Sequence, residues 1–204
     1  MPLRPTVIVM AAHMQARSGE PTRADPDAEL GAAFSLTLQH AVASMLPIVV
    51  VTTPLLAGLA CATVAARDVV VAEDVTPAHP GHGRAIAQGV WARPESPGWL
   101  VLPGDMPIVG ASTICAVAAA IEEHAVAYAQ HLGRPGYPVG FASELYSELV
   151  TSNDSGLVRR MMARYPAHAV DVEDAGAIVT FGDNDEMENL RTAQAAHRAL
   201  RSRS

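Results

Sequence analysis

The hydrophobic positions in the first half of the chain follow two alternating patterns. Short continuous apolar runs, such as Thr6–Met10 and Ile48–Thr52, are typical of strands buried on both faces of a sheet. Between them, Leu30–Met45 carries apolar residues at helical spacing and stops before Pro47. The same alternation predicts strands at Asp68–Ala72 and Trp99–Pro103 and helices at Leu55–Ala66, Ala85–Trp91 and Ala111–Glu123.

The second half carries shorter strand candidates. Ala125–Gln130 and Pro138–Ala142 flank a run of turn formers, Gly133–Gly136. Strand and helix alternation predicts a mostly parallel sheet with right-handed crossovers, and the short strands add an antiparallel portion. We expect one α/β domain over residues 1–204. Further elements are predicted as helices at Glu144–Leu149, Gly156–Arg164 and Asp185–Arg201, strands at Ala167–Val172 and Ala177–Phe181, and a loop at 15–29.

Composition narrows the class of protein. Half of the residues are hydrophobic and only 4% are aromatic, so the core is built from small aliphatic side chains. The formal net charge of -7 argues against sequence-independent binding of nucleic acid. A nucleotide is not excluded, because backbone N–H groups and one or two cations can hold a phosphate.

The cysteines and the apolar runs indicate the compartment. Cys61 and Cys115 lie far apart within apolar stretches, which predicts buried thiols in a reducing compartment. No apolar run approaches the length of a membrane span. We therefore expect a cytoplasmic protein that binds neither membrane nor nucleic acid.

Ligands of open parallel sheets bind beyond the carboxyl ends of the strands. Three predicted loops leave such ends, and the best-marked is Gly104–Pro107, which places Asp105 directly after a buried strand. A carboxylate there suits Mg²⁺, which takes one or two carboxylates together with phosphate oxygens. The alternative is that Asp105 only caps a turn or the helix after it.

The remaining polar stretches have two readings each. In the loop after the first strand Arg17 could hold phosphate oxygens, or it could be a solvated side chain. Gly81–Ala85 suits an anion at a helix N-terminus, or an ordinary connection. Gly133–Pro138 predicts a tight turn, with a substrate contact as an option. Gly182–Glu186 could bind a cation, although a helix cap at Asp183 or Asp185 is the alternative.

Taken in order, these stretches resemble the MobA-like NTP transferases, and among them the molybdenum-cofactor cytidylyltransferases. The family opening LAAGxSxRMGxxK is similar to residues 10–22, its GMGxSLxxGL to residues 81–90 and its GxPGHP to residues 133–138. GDMP is present unchanged at Gly104–Pro107, and the family GDxGxR resembles residues 153–156 with Arg159 one place late.

The resemblance implies a Rossmann-like three-layer sandwich of the nucleotide-diphospho-sugar transferase type. It implies transfer of a nucleotidyl group from an NTP to molybdopterin with release of pyrophosphate. The Ala11-Ala12 pair looks like the cytidylyl branch, so CTP is favoured, and a molybdenum hydroxylase is an implied partner. The implied site residues are Asp105 and Arg17 for catalysis, Asp105 and Asp183 for Mg²⁺, Ala11, Ala12, His13, Arg17, Gly19, Arg23, Gly83 and Ala85 for the nucleotide, and Gly136, Tyr137 and Pro138 for the acceptor.

The sequence departs from the family pattern at several phosphate contacts. Thr22 replaces a Lys, with Arg23 adjacent, and Ala85 replaces a Ser. Tyr137 replaces the family His, and the final DIDTPEDL, read at residues 180–187, keeps only Asp183, one place on. Because phosphoryl transfer depends on positioned cations, two hypotheses stay open. One is a divergent nucleotidyltransferase, and the other is a non-catalytic accessory protein that binds nucleotide or cofactor during molybdoenzyme maturation.

Overall fold

A computed structural model describes residues 4–12, 26–72, 82–152 and 156–180 of the 204-residue chain. Seven strands lie in these ranges and form one sheet. They are β1 (Thr6–Met10), β2 (Ile48–Thr52), β3 (Val69–Val71), β4 (Gly98–Pro103), β5 (Val126–His131), β6 (Arg134–Ala142) and β7 (Ala167–Asp171). Six helices accompany them: α1 (Pro26–Ala43), α2 (Pro54–Thr63), α3 (His82–Trp91), α4 (Ala111–Ala120), α5 (Tyr146–Thr151) and α6 (Leu157–Arg164).

The sheet runs in the order β3-β2-β1-β4-β6-β5-β7. The first four strands pair in parallel, β6 is antiparallel to both of its neighbours, and β7 is parallel to β5. The carboxyl ends of β1 and β4 therefore share one edge with those of β5 and β7 and with the amino end of β6. The expected mostly parallel sheet with an antiparallel portion is confirmed.

The alternation of side chains along β1 divides the core into two layers. Val7 and Val9 belong to a cluster that includes residues of α1, α2 and α4, whereas Ile8 and Met10 belong to a cluster that includes residues of α3, α5 and α6. A strand turns successive side chains to opposite faces, so an unbroken apolar run implies cover on both faces. The expected three-layer sandwich is confirmed.

The predicted loop at residues 15–29 overlaps the first helix, because α1 begins at Pro26. Proline is accommodated in the first turn of a helix, where its missing N–H would have no intrahelical partner. The predicted strands β1 and β2 agree residue for residue with the structure. The predicted terminal helix Asp185–Arg201 lies outside the described residues, and the single domain over 1–204 stays a prediction.

The hairpin between β5 and β6 is tighter than predicted. His131 pairs with Arg134, so the connection consists of Leu132 and Gly133 alone, with φ values of 49° and 77° respectively. A two-residue turn with positive φ at both positions matches the twist of the flanking strands. Arg134, Pro135 and Gly136, read from the sequence as turn residues, are therefore the first residues of β6.

The predicted strand at Ala177–Phe181 is wrong over its described residues. Ala175–Ile178 forms a short 3₁₀ turn instead. Its backbone is turned by Asp174, whose side chain accepts from the N–H of Gly176 at 2.9 Å. Ala177 is fully buried by packing against the main core, so its apolar character reflects burial in a turn.

The two cysteines are more exposed than the sequence predicted. Cys61 is exposed on α2 and Cys115 is half-buried on α4, and both are free thiols, so the expectation of two buried thiols is wrong. An apolar stretch of helix does not reveal which of its positions faces the sheet, and Ala60 takes the buried position next to Cys61.

None of the helices in the described ranges is long and apolar enough to cross a membrane.

Candidate functional site

The carboxyl ends of β1 and β4 lie side by side in the middle of the sheet. Met10 is paired with Pro103, and the N–H of Gly104 donates to the carbonyl of Met10 at 2.7 Å. The backbone after β1 also contacts β2, since the N–H of Ala11 donates to Val51 at 2.7 Å. The structure thus brings together the starts of two of the loops that the sequence singled out.

Ala11 and Ala12 can offer only backbone to a ligand. They are 0% and 2% exposed, and each packs in one of the two core clusters. Small side chains at these positions let the chain leave β1 close to the sheet. The remaining predicted residues of this loop, His13, Arg17, Gly19 and Arg23, lie outside the described residues.

The loop after β4 is anchored on both sides of Asp105. Gly104, Met106 and Pro107 are buried, while Asp105 is half-buried. Met106 belongs to the core cluster, and the N–H of Val109 donates to its carbonyl at 3.3 Å. These anchors hold Asp105 at the edge of the sheet where the ends of β1 and β4 meet.

A cleft of about 580 Å³ opens at this edge. Tyr137 and Gly136 form one wall, and Pro138 is buried behind them after a cis peptide bond. The structure therefore brings two of the three predicted acceptor residues to the cleft surface. The lining is Met10, Pro103, Pro135, Gly136, Tyr137, Val139, Gly156, Val158, Arg159 and Met162.

The phenol of Tyr137 is electrostatically linked to the metal-binding candidate. Burial raises the pKa of Tyr137 above its ordinary value of 10.0, and the negative charge of Asp105 raises it further. Both causes disfavour the phenolate. Tyr137 therefore stays protonated at neutral pH, and its hydroxyl can donate a hydrogen bond into the cleft.

Arg159 brings a positive charge to the cleft. Its side chain is exposed, and it forms no ion pair with a carboxylate of the described residues. Two other arginines of α6 are engaged: Arg160 donates to Ser152 at 3.0 Å, and Arg164 pairs with Glu148 at 3.2 Å. Arg159 was noted in the sequence only as a displaced motif residue, and its position in the cleft required the structure.

The N-terminus of α4, the helix after the Asp105 loop, is capped by a residue that is distant in the sequence. The N-cap residue of α4 is Gly110, whose N–H donates to Asp174 at 2.7 Å, and the hydroxyl of Thr113 donates to the same carboxylate oxygen at 2.7 Å. The alternative in which Asp105 caps this helix is therefore wrong, whereas a cap on its own turn stays open as the other alternative. Asp174 is separated from Gly110 by 64 residues, and nothing in the sequence pattern links the two.

The first turn of α3 lies against the end of β1. Gly83 is buried, and Ala85 is 2% exposed in the cluster that also contains Met10 and Ala12. Ala85 is therefore a packing residue beside the site, and its methyl group offers no hydrogen bond. The predicted nucleotide contact of Gly83 and Ala85 stays a prediction.

The carboxylate of Asp105 fits a hard cation, such as Mg²⁺, that takes most of its other ligands from a bound substrate. Asp105 supplies carboxylate oxygens, the ligands that Mg²⁺ prefers. Within the described ranges no group of three or more His, Cys, Asp or Glu could hold a metal ion by itself. A cation at Asp105 would therefore take its other ligands from phosphate oxygens, water or residues outside those ranges, as in a metal–nucleotide complex. The second predicted ligand, Asp183, lies outside the described residues.

The sequence profile of the MobA-like NTP transferase domain matches residues 8–172. The chain belongs to this family. The match includes the ends of β1 and β4, the Asp105 loop and the wall of Tyr137. The chain is therefore a member of a nucleotidyltransferase family, as the motifs had indicated. No curated protein matches the sequence.

Solved structures share the fold at low sequence identity. A homologue of Mycobacterium tuberculosis Rv0371c from Mycobacterium sp. strain JC1 is 19% identical, with a TM-score of 0.69 over 93% of this chain and 96% of the other. Rv0371c in complex with manganese is 20% identical, with a TM-score of 0.65 over 84% and 89%. A 4-diphosphocytidyl-2C-methyl-D-erythritol synthase from Anaerococcus prevotii is 13% identical, with a TM-score of 0.62 over 94% and 96%.

Proposed function

We propose that this chain transfers a cytidylyl group from CTP to the phosphate of a molybdopterin-type acceptor. A phosphate oxygen of the acceptor attacks the α-phosphorus of CTP, the bond from that phosphorus to the bridging oxygen breaks, and pyrophosphate leaves with the electron pair. The observation that carries the proposal is the cleft at the carboxyl ends of β1 and β4, which is lined by Pro103, the residue two before Asp105, and by Tyr137. This arrangement offers a cation ligand next to a wall suited to an acceptor.

In this proposal Asp105 holds Mg²⁺, with Asp183 as the second carboxylate. The ion supplies charge neutralisation of the triphosphate and of the leaving pyrophosphate. Arg17 and Arg23 bind phosphate oxygens, and the backbone of Ala11 and Ala12, with His13, Gly19, Gly83 and Ala85, borders the nucleotide. Manganese in the relative Rv0371c supports a divalent cation for this fold.

The acceptor occupies the cleft between β6 and α6. Tyr137 donates a hydrogen bond from its neutral phenol, and Arg159 attracts the acceptor's anionic group. Met10 and Met162 supply adaptable apolar surface, and thioethers make favourable contacts with conjugated rings. These contacts support an acceptor that combines a ring system with a phosphate.

CTP as the donor is supported by two observations. The Ala11-Ala12 pair resembles the cytidylyl branch of the family, and the fold relative from Anaerococcus prevotii is named as a diphosphocytidyl synthase. We propose the cytoplasm as the location and a molybdenum hydroxylase as the protein that receives the product.

The test is pyrophosphate release from molybdopterin, Mg²⁺ and each of the four NTPs in turn. We expect release with CTP above the other three, and none when either molybdopterin or Mg²⁺ is left out. Absence of release with all four nucleotides would contradict the catalytic proposal.

A second candidate is a non-catalytic accessory protein with the same cleft. It is favoured by Ala85, which stands where the family has Ser and is packed into the core, and by Thr22 in place of Lys. Calorimetry with CTP and GTP, with and without Mg²⁺, separates the two. Binding of nucleotide or molybdopterin without turnover supports the accessory role, and turnover contradicts it.

A further inference from the structure

Residues 174–178 connect the two halves of the candidate site. On one side, the carboxylate of Asp174 receives hydrogen bonds from Gly110 and Thr113 at the start of α4, both at 2.7 Å. On the other side, Ala177 and Ile178 lie directly against Gly136 in the cleft wall. The segment therefore contacts both the helix behind the Asp105 loop and the strand that carries Tyr137.

Gly176 packs closely against Ile108, which lies between the Asp105 loop and α4. A Cβ atom on Gly176 would lie 2.6 Å from the carbonyl carbon of Ile108, which leaves no room for a side chain. Gly176 also donates its N–H to Asp174 at 2.9 Å. The same carboxylate thus binds both the 3₁₀ turn and the start of α4.

The charge of Asp174 is well placed for this task. A carboxylate at a helix N-terminus satisfies N–H groups that have no intrahelical partner and interacts favourably with the helix dipole. Hydrogen bonds to a charged acceptor are stronger than those between neutral groups. Only four residues, from Met106 to Val109, separate Asp105 from Gly110, so little slack remains between the capped end and Asp105.

We propose that Asp174 is a positioning residue that sets the location of Asp105 relative to the wall of Gly136 and Tyr137. The inference rests on the proposed function for its catalytic consequence. It assigns Asp174 no contact with substrate: Asp174 acts through Gly110 and Thr113. Because the carboxylate occupies the N-terminus of α4, the substrate phosphates bind elsewhere.

The test compares Thr113→Val, which removes the hydroxyl at nearly constant shape, with Thr113→Ser, which keeps it. Thr6→Val is the matched control, because Thr6 is another threonine that is 2% exposed and donates a buried hydrogen bond, to Ser96 at 2.9 Å at the other end of β1. Asp174→Asn removes the charge and serves as the second variant if Thr113→Val does not fold.

Two methods are used alongside the thermal midpoint of unfolding. Calorimetry gives the affinity for Mn²⁺–CTP without turnover, and pyrophosphate release gives the Mg²⁺ concentration for half-maximal rate and the KM for molybdopterin. For Thr113→Val and Asp174→Asn we expect about ten-fold weaker Mn²⁺–CTP binding and a matching rise in the Mg²⁺ requirement, since small displacements of catalytic groups are costly. Thr113→Ser and Thr6→Val should bind Mn²⁺–CTP as the wild type does, and KM for molybdopterin should change by less than about two-fold, because the uniform binding of the acceptor is untouched.

The outcomes are distinguishable. If Thr113→Val and Thr6→Val lose similar stability and both keep wild-type affinity for Mn²⁺–CTP, Asp174 is only structural and the inference is wrong. If the wild type binds Mn²⁺–CTP but turns over no NTP, the proposed function fails while the affinity comparison still decides the inference. A wild type that binds no metal–nucleotide complex overturns both.

Discussion

Gly136 lies directly against the carbonyl oxygen of Ala177, so that a Cβ atom on Gly136 would overlap this oxygen. The two residues belong to different structural elements, β6 and the 3₁₀ turn after β7. Gly136 also lines the cleft next to Tyr137. The absence of a side chain at position 136 therefore allows the turn to pack behind the cleft wall.

Gly136→Ala should destabilise the fold by about 1–3 kcal/mol, because backbone must move to admit the methyl group. Gly58→Ala is the control, since a Cβ atom there meets nothing within 4 Å and alanine favours the interior of α2. Thermal and urea unfolding of both variants give the comparison. Equal stability of Gly136→Ala and the wild type would show that the turn does not pack here.

Asp105→Asn should leave stability within about 1 kcal/mol, as for a half-buried loop substitution. It should greatly weaken Mg²⁺-dependent binding of CTP, because the carboxylate that holds the ion is lost. The measurement is the rise in melting temperature on addition of Mg²⁺–CTP, with exposed Glu95→Gln as the charge-matched control. If Mg²⁺–CTP raises the melting temperature of the wild type and of Asp105→Asn equally, Asp105 is not the metal ligand.

Tyr137 should make the stability of the fold depend on pH only in the alkaline range. Its pKa is raised in the folded state by burial and by Asp105, so above about pH 10 the unfolded chain loses a proton that the folded chain retains. The wild type should therefore lose stability relative to Tyr137→Phe as pH rises above 10, with a constant difference between pH 7 and 9. Melting both proteins across this range tests the sign.

The same phenol offers an absorbance test of its link to Asp105. The difference in ultraviolet titration between wild type and Tyr137→Phe isolates one of the four tyrosines. Burial is the larger cause of the raised pKa, so Asp105→Asn should lower the midpoint while leaving it above 10. An unchanged midpoint in Asp105→Asn would mean that the carboxylate does not face Tyr137.

A soluble quencher should reduce the fluorescence of Trp91 strongly and that of Trp99 weakly. Trp91 is 63% exposed at the end of α3, whereas Trp99 is fully buried and donates its indole N–H to the backbone carbonyl of Arg93 at 3.0 Å. Trp91→Phe should leave blue-shifted emission that acrylamide quenches weakly, since Trp99 is shielded from solvent. Strong quenching in Trp91→Phe would contradict the packing of β4.

Much of the fold follows from local pattern. The runs of β1 and β2 are apolar at every position or nearly so, and such runs are stable only between two covering layers. The strand–helix alternation around them then requires parallel pairing. The loop Gly104–Pro107 could be singled out because a carboxylate directly after a buried strand reaches the sheet edge where ligands bind.

The sequence by itself determined the layered α/β fold and the family, and it singled out Asp105 as the leading site candidate, since each of these depends on neighbours along the chain. Tertiary structure alone decided that Ala175–Ile178 turns back under the cleft, that Arg159 faces the cleft, and that Asp174 caps α4. The physical reason is that the contacts which decide these features join residues far apart in the sequence. A hydrogen bond between Asp174 and Gly110 spans 64 residues, and its partners become neighbours only when β7 pairs with β5 and the whole sheet has formed.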